Sequence, residues 1–322
     1  MRRFLLRRTL QAIVIVVLVT TITFVLIHLA PGDPFAAAID NPLLTEAMRA
    51  HWRAAFGLDQ PLPVQYWRFV VNALHGNLGY SFSLHRPVRD ALASALPNTL
   101  LLMGAALVAS FVLGVALGVV QAARRGGALD HALSAVSLFF YSMPDFWLAI
   151  MVVLAFAYWM PIFPVGGIVD PVLHDYLGAG GRVLDVARHL VLPALTLTLL
   201  SAAAVARYQR AAMLDVIHQD FVRTARAKGL PGAVVLRHVV RNALLPVITL
   251  IGLAFPALLG GAVFVEKVFS WPGMGLLTVN AIATRDYPLV TASVILGGTM
   301  VALGSLLADV LYAVADPRLR SA

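Results

Sequence analysis

Residues Thr9–Ala30 read TLQAIVIVVLVTTITFVLIHLA, without one Asp, Glu, Lys or Arg. An α-helix rises about 1.5 Å per residue, so such a run covers roughly 30 Å, the thickness of a bilayer's hydrocarbon core. Five more apolar stretches follow: Pro97–Val120, Ala132–Trp159, Leu190–Ala206, Ala243–Val265 and Pro288–Tyr312. The fourth is the shortest. Arg2, Arg3, Arg7 and Arg8 precede the first run and Ala36-Ala37-Ala38 follows it, as in a cleaved secretory signal. Signal cores hold about 7–15 apolar residues, fewer than this run, so a retained anchor is expected.

Composition agrees. Of 322 residues, 60% are hydrophobic and 12% charged, and the mean hydropathy is +0.84. A soluble domain cannot hide that much apolar surface, so the expected class is an all-α integral membrane protein with six transmembrane helices. The absence of cysteine removes disulfides, zinc thiolate sites, iron–sulfur clusters and a lipidated N-terminal cysteine. The net charge of +8 does not point to nucleic acid, because the basic residues flank apolar spans instead of forming one soluble face.

Charge sets the expected orientation. With six spans and the N-terminus inside, inner segments hold fifteen of the 24 Lys and Arg, seven of them between Arg207 and Asn242. The outer bases are balanced by acids. The bias places both termini in the cytoplasm. The outer segment after the first span contains HWRAAFGLDQPLPVQYWRFVVNALHG, His51–Gly76, with amphipathic helical pieces around Pro61 and Pro63. Trp52, Tyr66 and Trp67 suit a membrane surface.

Prolines punctuate the spans. Leu96-Pro97, Leu192-Pro193 and Leu245-Pro246 read as helix starts, where the missing N–H costs nothing. Pro144 and Pro256 lie inside spans. A mid-span proline frees a carbonyl and bends the helix. Either these are tolerated kinks, or the third and fifth helices bend around a pathway.

Motor and catalytic chemistry is not written in the chain. A phosphate-binding loop needs Gly-Lys after a glycine-rich turn. The two lysines, Lys228 and Lys267, follow Ala227 and Glu266. No His-Glu-x-x-His or Gly-x-Ser-x-Gly pattern occurs, and the nine histidines are scattered. No catalytic residue, metal site or cofactor is expected. Asp145, after Pro144, is a costly charge near mid-span. It faces a wet cavity or partner, or water reaches it because Pro144 breaks the helix. Asp309, near the inner end of the sixth span, reads as structural.

The stretch QDFVRTARAKGLPG, Gln219–Gly232, stands apart from the apolar background. On a helix, Val222, Ala225 and Gly229 share a side, ringed by Arg223, Arg226 and Lys228. Pro231-Gly232 ends the helix. Alone, so short a helix is marginal in water. Two readings stand: docking on a partner protein through the small-residue face, or a basic loop on anionic lipid.

RTARAKG (Arg223–Gly229) followed by RHVVRNALLPV (Arg237–Val247) resembles the cytoplasmic signature of ABC-importer permeases, in the wording of the dipeptide, oligopeptide and nickel branch. APGDPF (Ala30–Phe35), FGLDQPLPVQYWRF (Phe56–Phe69), HGNLGYSF (His75–Phe82), SMPDFW (Ser142–Trp147), EKVFSWPGMG (Glu266–Gly275) and DPRLR (Asp316–Arg320) are similar to the same branch, in order. Against the broader pattern, Arg223 replaces a leading Glu, and the Gly229–Pro246 interval is longer than in sugar importers. Asp145 replaces a small or neutral residue.

The resemblance implies a type I importer permease fold in the bacterial inner membrane. It implies an anchor helix at 1–30, an extracytoplasmic segment at 31–92, a permease core at 93–313 with a coupling loop at 207–242, and a tail at 314–322. Arg223, Thr224, Ala225, Arg226, Ala227, Lys228 and Gly229 would form the helix that seats in an ATPase. A second permease subunit, two ATPase subunits and an extracytoplasmic binding protein are the implied partners besides lipid. ATP and Mg would be bound by the ATPases. Pro144, Asp145, Trp147 and Pro256 are the expected path residues. Glu266, Trp271, Pro272, Gly273 and Gly275 are expected at an outer gate or receptor dock, or as a simple turn. The implied cargo is peptide, with nickel chelates or glutathione as alternatives. An ion-coupled carrier using Asp145 and a pathless scaffold are the readings outside the family.

Overall fold

The computed structural model describes residues 2–29, 45, 47, 60–260 and 262–315, the side chains at 2–5, 245, 248–249, 251–260 and 311–315 excepted. Helix dominates, as apolar chain in lipid requires: every backbone polar group must be paired within its own segment. The chain forms two compact units, one from residues 1–100, 259–263 and 272–322, the other from 101–258 and 264–271.

In the first unit, α1 (Arg2–Leu29) lies along α11 (Tyr287–Ala315). A Cβ on Gly298 would come 2.8 Å from Val19 Cγ1, so the two helices touch at that glycine. Arg8 pairs with Asp309 at 3.2 Å, which sets the start of α1 beside the end of α11. Asp309 thus has the structural partner its position suggests. α2 (Leu62–Leu74) starts with Pro61 as N-cap and Pro63 in its first turn. It leans on α1 through a Tyr66 Oη to Thr21 Oγ1 hydrogen bond of 2.7 Å, and Tyr66 meets Phe24 edge-on. Trp67 stays exposed. Trp52, APGDPF and DPRLR lie outside the described residues.

The all-helical expectation needs one correction. Tyr80–Ser81 (β1) and Arg86–Pro87 (β2) pair antiparallel, Tyr80 opposite Pro87. This hairpin is held by a distant carboxylate. Asp286 Oδ2 accepts from Ser81 Oγ (2.6 Å), Ser83 Oγ (2.7 Å) and Ser83 N–H (3.0 Å), while Oδ1 accepts the Leu289 N–H at the start of α11.

α3 (Val88–Ala123) runs from the first unit into the second. The second unit continues with α4 (Ala128–Tyr141), α5 (Asp145–Val153) and its π-helical extension Leu154–Trp159, α6 (Ala179–Val216), α7 (Asp220–Ala227), α8 (Gly232–Gly260) and α9 (Val263–Val268). Two glycines let α3 and α6 approach. A Cβ on Gly114 would sit 2.7 Å from the Ala202 carbonyl oxygen, and one on Gly118 2.6 Å from that of Ala206. Small residues permit such contact where lipid supplies no hydrophobic drive. α10 (Met274–Ala283) belongs to the first unit.

Among the described residues, α1, α3, α6 and α11 are long and apolar enough to cross a membrane, and α4 with α5 makes a fifth candidate bent by 103°. The fifth expected span falls on α8, whose side chains are only partly described. One expectation is overturned. Pro97, Pro193 and Pro246 do not start helices; they lie inside α3, α6 and α8. Polar turns outside the lipid-soluble core continue each helix past the apolar boundary. At 38 residues α6 reaches about 57 Å, well beyond a bilayer core. Most of the 207–242 segment is helix.

Candidate functional site

α7 is set up locally. Gln219, with extended backbone, is its N-cap. Asp220 puts negative charge in the first turn, against the positive helix end. Thr224 Oγ1 donates to the Asp220 carbonyl at 2.9 Å. The far end closes through a Schellman pair: Leu230 N–H reaches Ala225 O at 3.2 Å and Gly229 N–H reaches Arg226 O at 2.9 Å. Gly229 supplies the required left-handed residue, φ +72°. Pro231 then accepts the first N–H bonds of α8, from Val234 and Val235.

Packing fixes which face points where. Val222 is completely buried, in a cluster with Ala122 of α3, Met213 and Val216 of α6, and Val235, Val239 and Ala243 of α8. Ala225 packs on the edge of that cluster. Burying one valine contributes about 1.5–3 kcal/mol, enough to hold a helix too short to persist alone. Of the three residues on the small-residue side, Val222 is thus covered by the chain itself, Ala225 is half-buried and Gly229 stays exposed. Arg223, Thr224, Arg226, Ala227, Lys228 and Gly229 face outward, with Phe221 and Leu230 partly exposed beside them. The Arg223–Asp220 pair, 3.8 Å and fully solvated, contributes little.

Near the end of α6 is a brace that sequence reading missed. Arg210 of α6 grips Asp130 of α4 with two bonds, Nε to Oδ1 at 3.0 Å and Nη2 to Oδ2 at 2.8 Å. Asp130 also accepts the Gly126 N–H at 3.0 Å, and its side chain is 4% exposed. A planar fork on a carboxylate fixes direction as well as distance. The brace ties the end of α6, just before α7, to the turn joining α3 and α4. Its only sequence signal is one acid, Asp130, standing close after Arg124 and Arg125.

The expected path residues gather partly. Pro144, with φ −61° and ψ 135°, separates α4 from α5, so the third apolar stretch is broken and not merely kinked. Asp145 opens α5, half-buried, and its carboxylate accepts the Phe146 N–H at 2.8 Å. It makes no ion pair among the described residues. Trp147 is exposed. Pro256 falls on the helical backbone of α8, but its side chain is outside the described ones.

The Glu266–Gly275 segment is mostly interior. Glu266 and Trp271 are fully buried, Gly273 and Gly275 are buried, and Pro272 alone of the five is exposed. Within the second unit, Trp271 N–H donates to Glu266 O at 2.8 Å, and Phe269 O accepts Gly167 N–H at 2.8 Å. Gly166 is pressed against that same carbonyl, leaving no space for a side chain. Within the first, Asn98 Nδ2 donates to Pro272 O at 2.9 Å, and Thr99 Oγ1 accepts the Met274 N–H at 2.7 Å. Among the described residues no cluster of His, Asp or Glu fit for a metal occurs.

The comparisons with known proteins converge. A family model described as the binding-protein-dependent transport system inner membrane component matches residues 114–321. A second, for the N-terminal part of such membrane components, matches residues 1–103. The di/tripeptide transport system permease protein DppB of Pseudomonas aeruginosa (strain UCBPP-PA14) is 41% identical over 318 residues, 94% of either chain. The oligopeptide transport system permease protein AppB of Bacillus subtilis (strain 168) is 37% identical over 321 residues, 99% of both chains. The dipeptide transport system permease protein DppB of Escherichia coli (strain K12) is 36% identical over 336 residues, again 99% of both. The chain belongs to the family of binding-protein-dependent transport system inner membrane components.

Proposed function

We propose that this chain is a non-catalytic permease subunit of an ATP-driven importer of di- and oligopeptides. In this reading it crosses the inner membrane six times with both ends in the cytoplasm, and residues 31–92 lie outside. A second permease completes the path, two ATPases drive it, and a binding protein delivers cargo. Arg223–Gly229 couple the ATPases to the core. The observation that carries the reading is the posture of α7: Val222 is clamped inside while Arg223, Thr224, Arg226, Ala227 and Lys228 are presented outward. A helix anchored so firmly and so basic on its free side is built to transmit force from a partner. ATP binding closes the ATPase pair, and rigid coupling helices convert closure into outward opening.

The names of the relatives favour peptide cargo. Nickel chelates and glutathione are the alternatives within the same mechanism. The break at Pro144 is compatible with a path past Pro144, Asp145 and Trp147, and Pro272 is exposed, as a receptor contact would need.

Reconstitution tests the proposal. Vesicles carrying the complete set of subunits take up labelled dipeptide only with ATP and binding protein. Uptake by this chain alone, driven by an ion gradient and lost in Asp145→Asn, would establish an ion-coupled carrier instead.

A further inference from the structure

Between α3, α4 and α6 lies a cavity of about 240 Å³ that the coupling mechanism does not use. Gln121, Ser134, Ser137, Tyr141, Arg207 and Arg210 are among its lining residues. Its two guanidinium groups are in different electrical states. Arg210 is neutralised by the two-bond grip on Asp130. Arg207 has no acidic partner among the described residues. Its guanidinium carbon stands 5.5 Å from the centroid of the Tyr141 ring, a contact that orients a cation without cancelling its charge.

Ser134 and Ser137 stand three residues apart on α4, so both hydroxyls reach the same side of the helix. Neither side chain has a hydrogen-bond partner among the described residues. The cavity thus offers one uncompensated cation, two open hydroxyl donors and an aromatic wall. That set suits a tetrahedral oxyanion. The volume equals about eight waters at the bulk share of 30 Å³ each, room for a phosphodiester with its glycerol.

Position selects the source of the phosphate. Ser134 and Ser137 follow Asp130 by four and seven residues, a rise of about 6–10 Å into the apolar stretch. Leu138, on the same side of α4 and itself lining the cavity, is 60% exposed, an apolar bed at the cavity's edge. A soluble anion has no use for that bed, whereas acyl chains do. Basic pockets between membrane helices near a bilayer surface are the usual setting for acidic headgroups. We propose that the cavity lined by Ser134, Ser137, Tyr141 and Arg207 holds the phosphate of an anionic phospholipid, whose chains lie on the exposed face of α4. The inference requires that these helices sit in a bilayer; it does not depend on the cargo or on α7.

The complete importer in nanodiscs of phosphatidylcholine, with or without phosphatidylglycerol, provides the test. Native mass spectrometry after mild delipidation counts retained phosphatidylglycerol. One tightly held molecule per copy of this chain is expected. Arg207→Gln should weaken its retention about tenfold, the value of one charge-assisted contact. The Ser134→Ala, Ser137→Ala double variant, which keeps every charge, should also lose it. Arg124→Gln with Arg125→Gln removes more charge outside the cavity and should leave it. Equal losses in the two arginine variants would reduce the effect to a diffuse field and overturn the site. Displacement of the lipid by millimolar inorganic phosphate or by labelled dipeptide would assign the cavity to a soluble anion or to cargo, and equally overturn it. Should Arg207→Gln fail to assemble, the serine variant decides alone.

Discussion

At the scale of single residues, Val222 and Gly229 carry α7, one by burial and one by backbone. Val222→Asp places an unpaired carboxylate in a sealed apolar cluster. The expected outcome is loss of folded permease, read as a fall in detergent-extracted monodisperse protein. Gly229→Ala meets no neighbour but must hold φ +72°, which costs about 1–2 kcal/mol. Reduced ATP-driven uptake with normal insertion is expected, and unchanged uptake would deny the closing turn any role. A third residue responds to pH. The N–H groups of Leu173 and Val172 hold the Asp170 carboxyl below its usual range. A depressed value means the turn's stabilisation is complete above the ordinary aspartate range, near pH 4, and is lost as pH falls through the lowered folded value. Hydrogen exchange at Val172 and Leu173 should therefore speed up only in strong acid. The spacing of Val222, Ala225 and Gly229 was legible in the sequence, but not its meaning. Periodicity says which residues share a face, and only long-range packing by Met213, Val216 and Val239 decides that Val222 is covered while Gly229 is not.

At the scale of elements, the α3–α6 seam is a close backbone contact at Gly114 and Gly118. Gly118→Leu drives a side chain into the Ala206 carbonyl and the Arg210 backbone. Overpacking of this kind costs about 1–3 kcal/mol. The unfolding midpoint of the assembled complex should fall by several degrees, and a wild-type midpoint would show that the seam opens freely. Apolar length was easy to read, because lipid imposes it; the described residues of the six stretches are mostly helix, with the third interrupted at Ser142–Pro144. Boundaries were not. Pro97, Pro193 and Pro246 resemble starts only while the polar turns ahead of them are taken for loop. The break at Pro144 was half legible: the proline was visible, but a bend of 103° depends on Asp145 opening a new helix. Nothing local in HGNLGYSF announces the hairpin, since its anchor, Asp286, lies some 200 residues away.

At the scale of the whole molecule, class and family were legible from composition, order of motifs and charge bias. Cargo was not, because no set of side chains in the sequence reports the shape of the proposed path. The brace from Arg210 to Asp130 was equally hidden, being a pairing across 80 positions. In the proposed importer coupling is mutual by linkage: loaded binding protein is expected to raise ATP hydrolysis, with this chain's exposed α7 residues carrying the effect. Thr224→Trp, which enlarges the outward face without touching the buried one, should abolish that stimulation while leaving membrane insertion intact.

The chain has no cysteine, so Thr224→Cys gives a single reactive thiol on the outward face of α7. Short bifunctional cross-linking of the assembled importer, in the resting and ATP-bound states, is the most direct measurement. A cross-link from residue 224 to an ATPase subunit is the predicted result. If the thiol reacts with small reagents yet joins no ATPase in either state, α7 is not the coupling element.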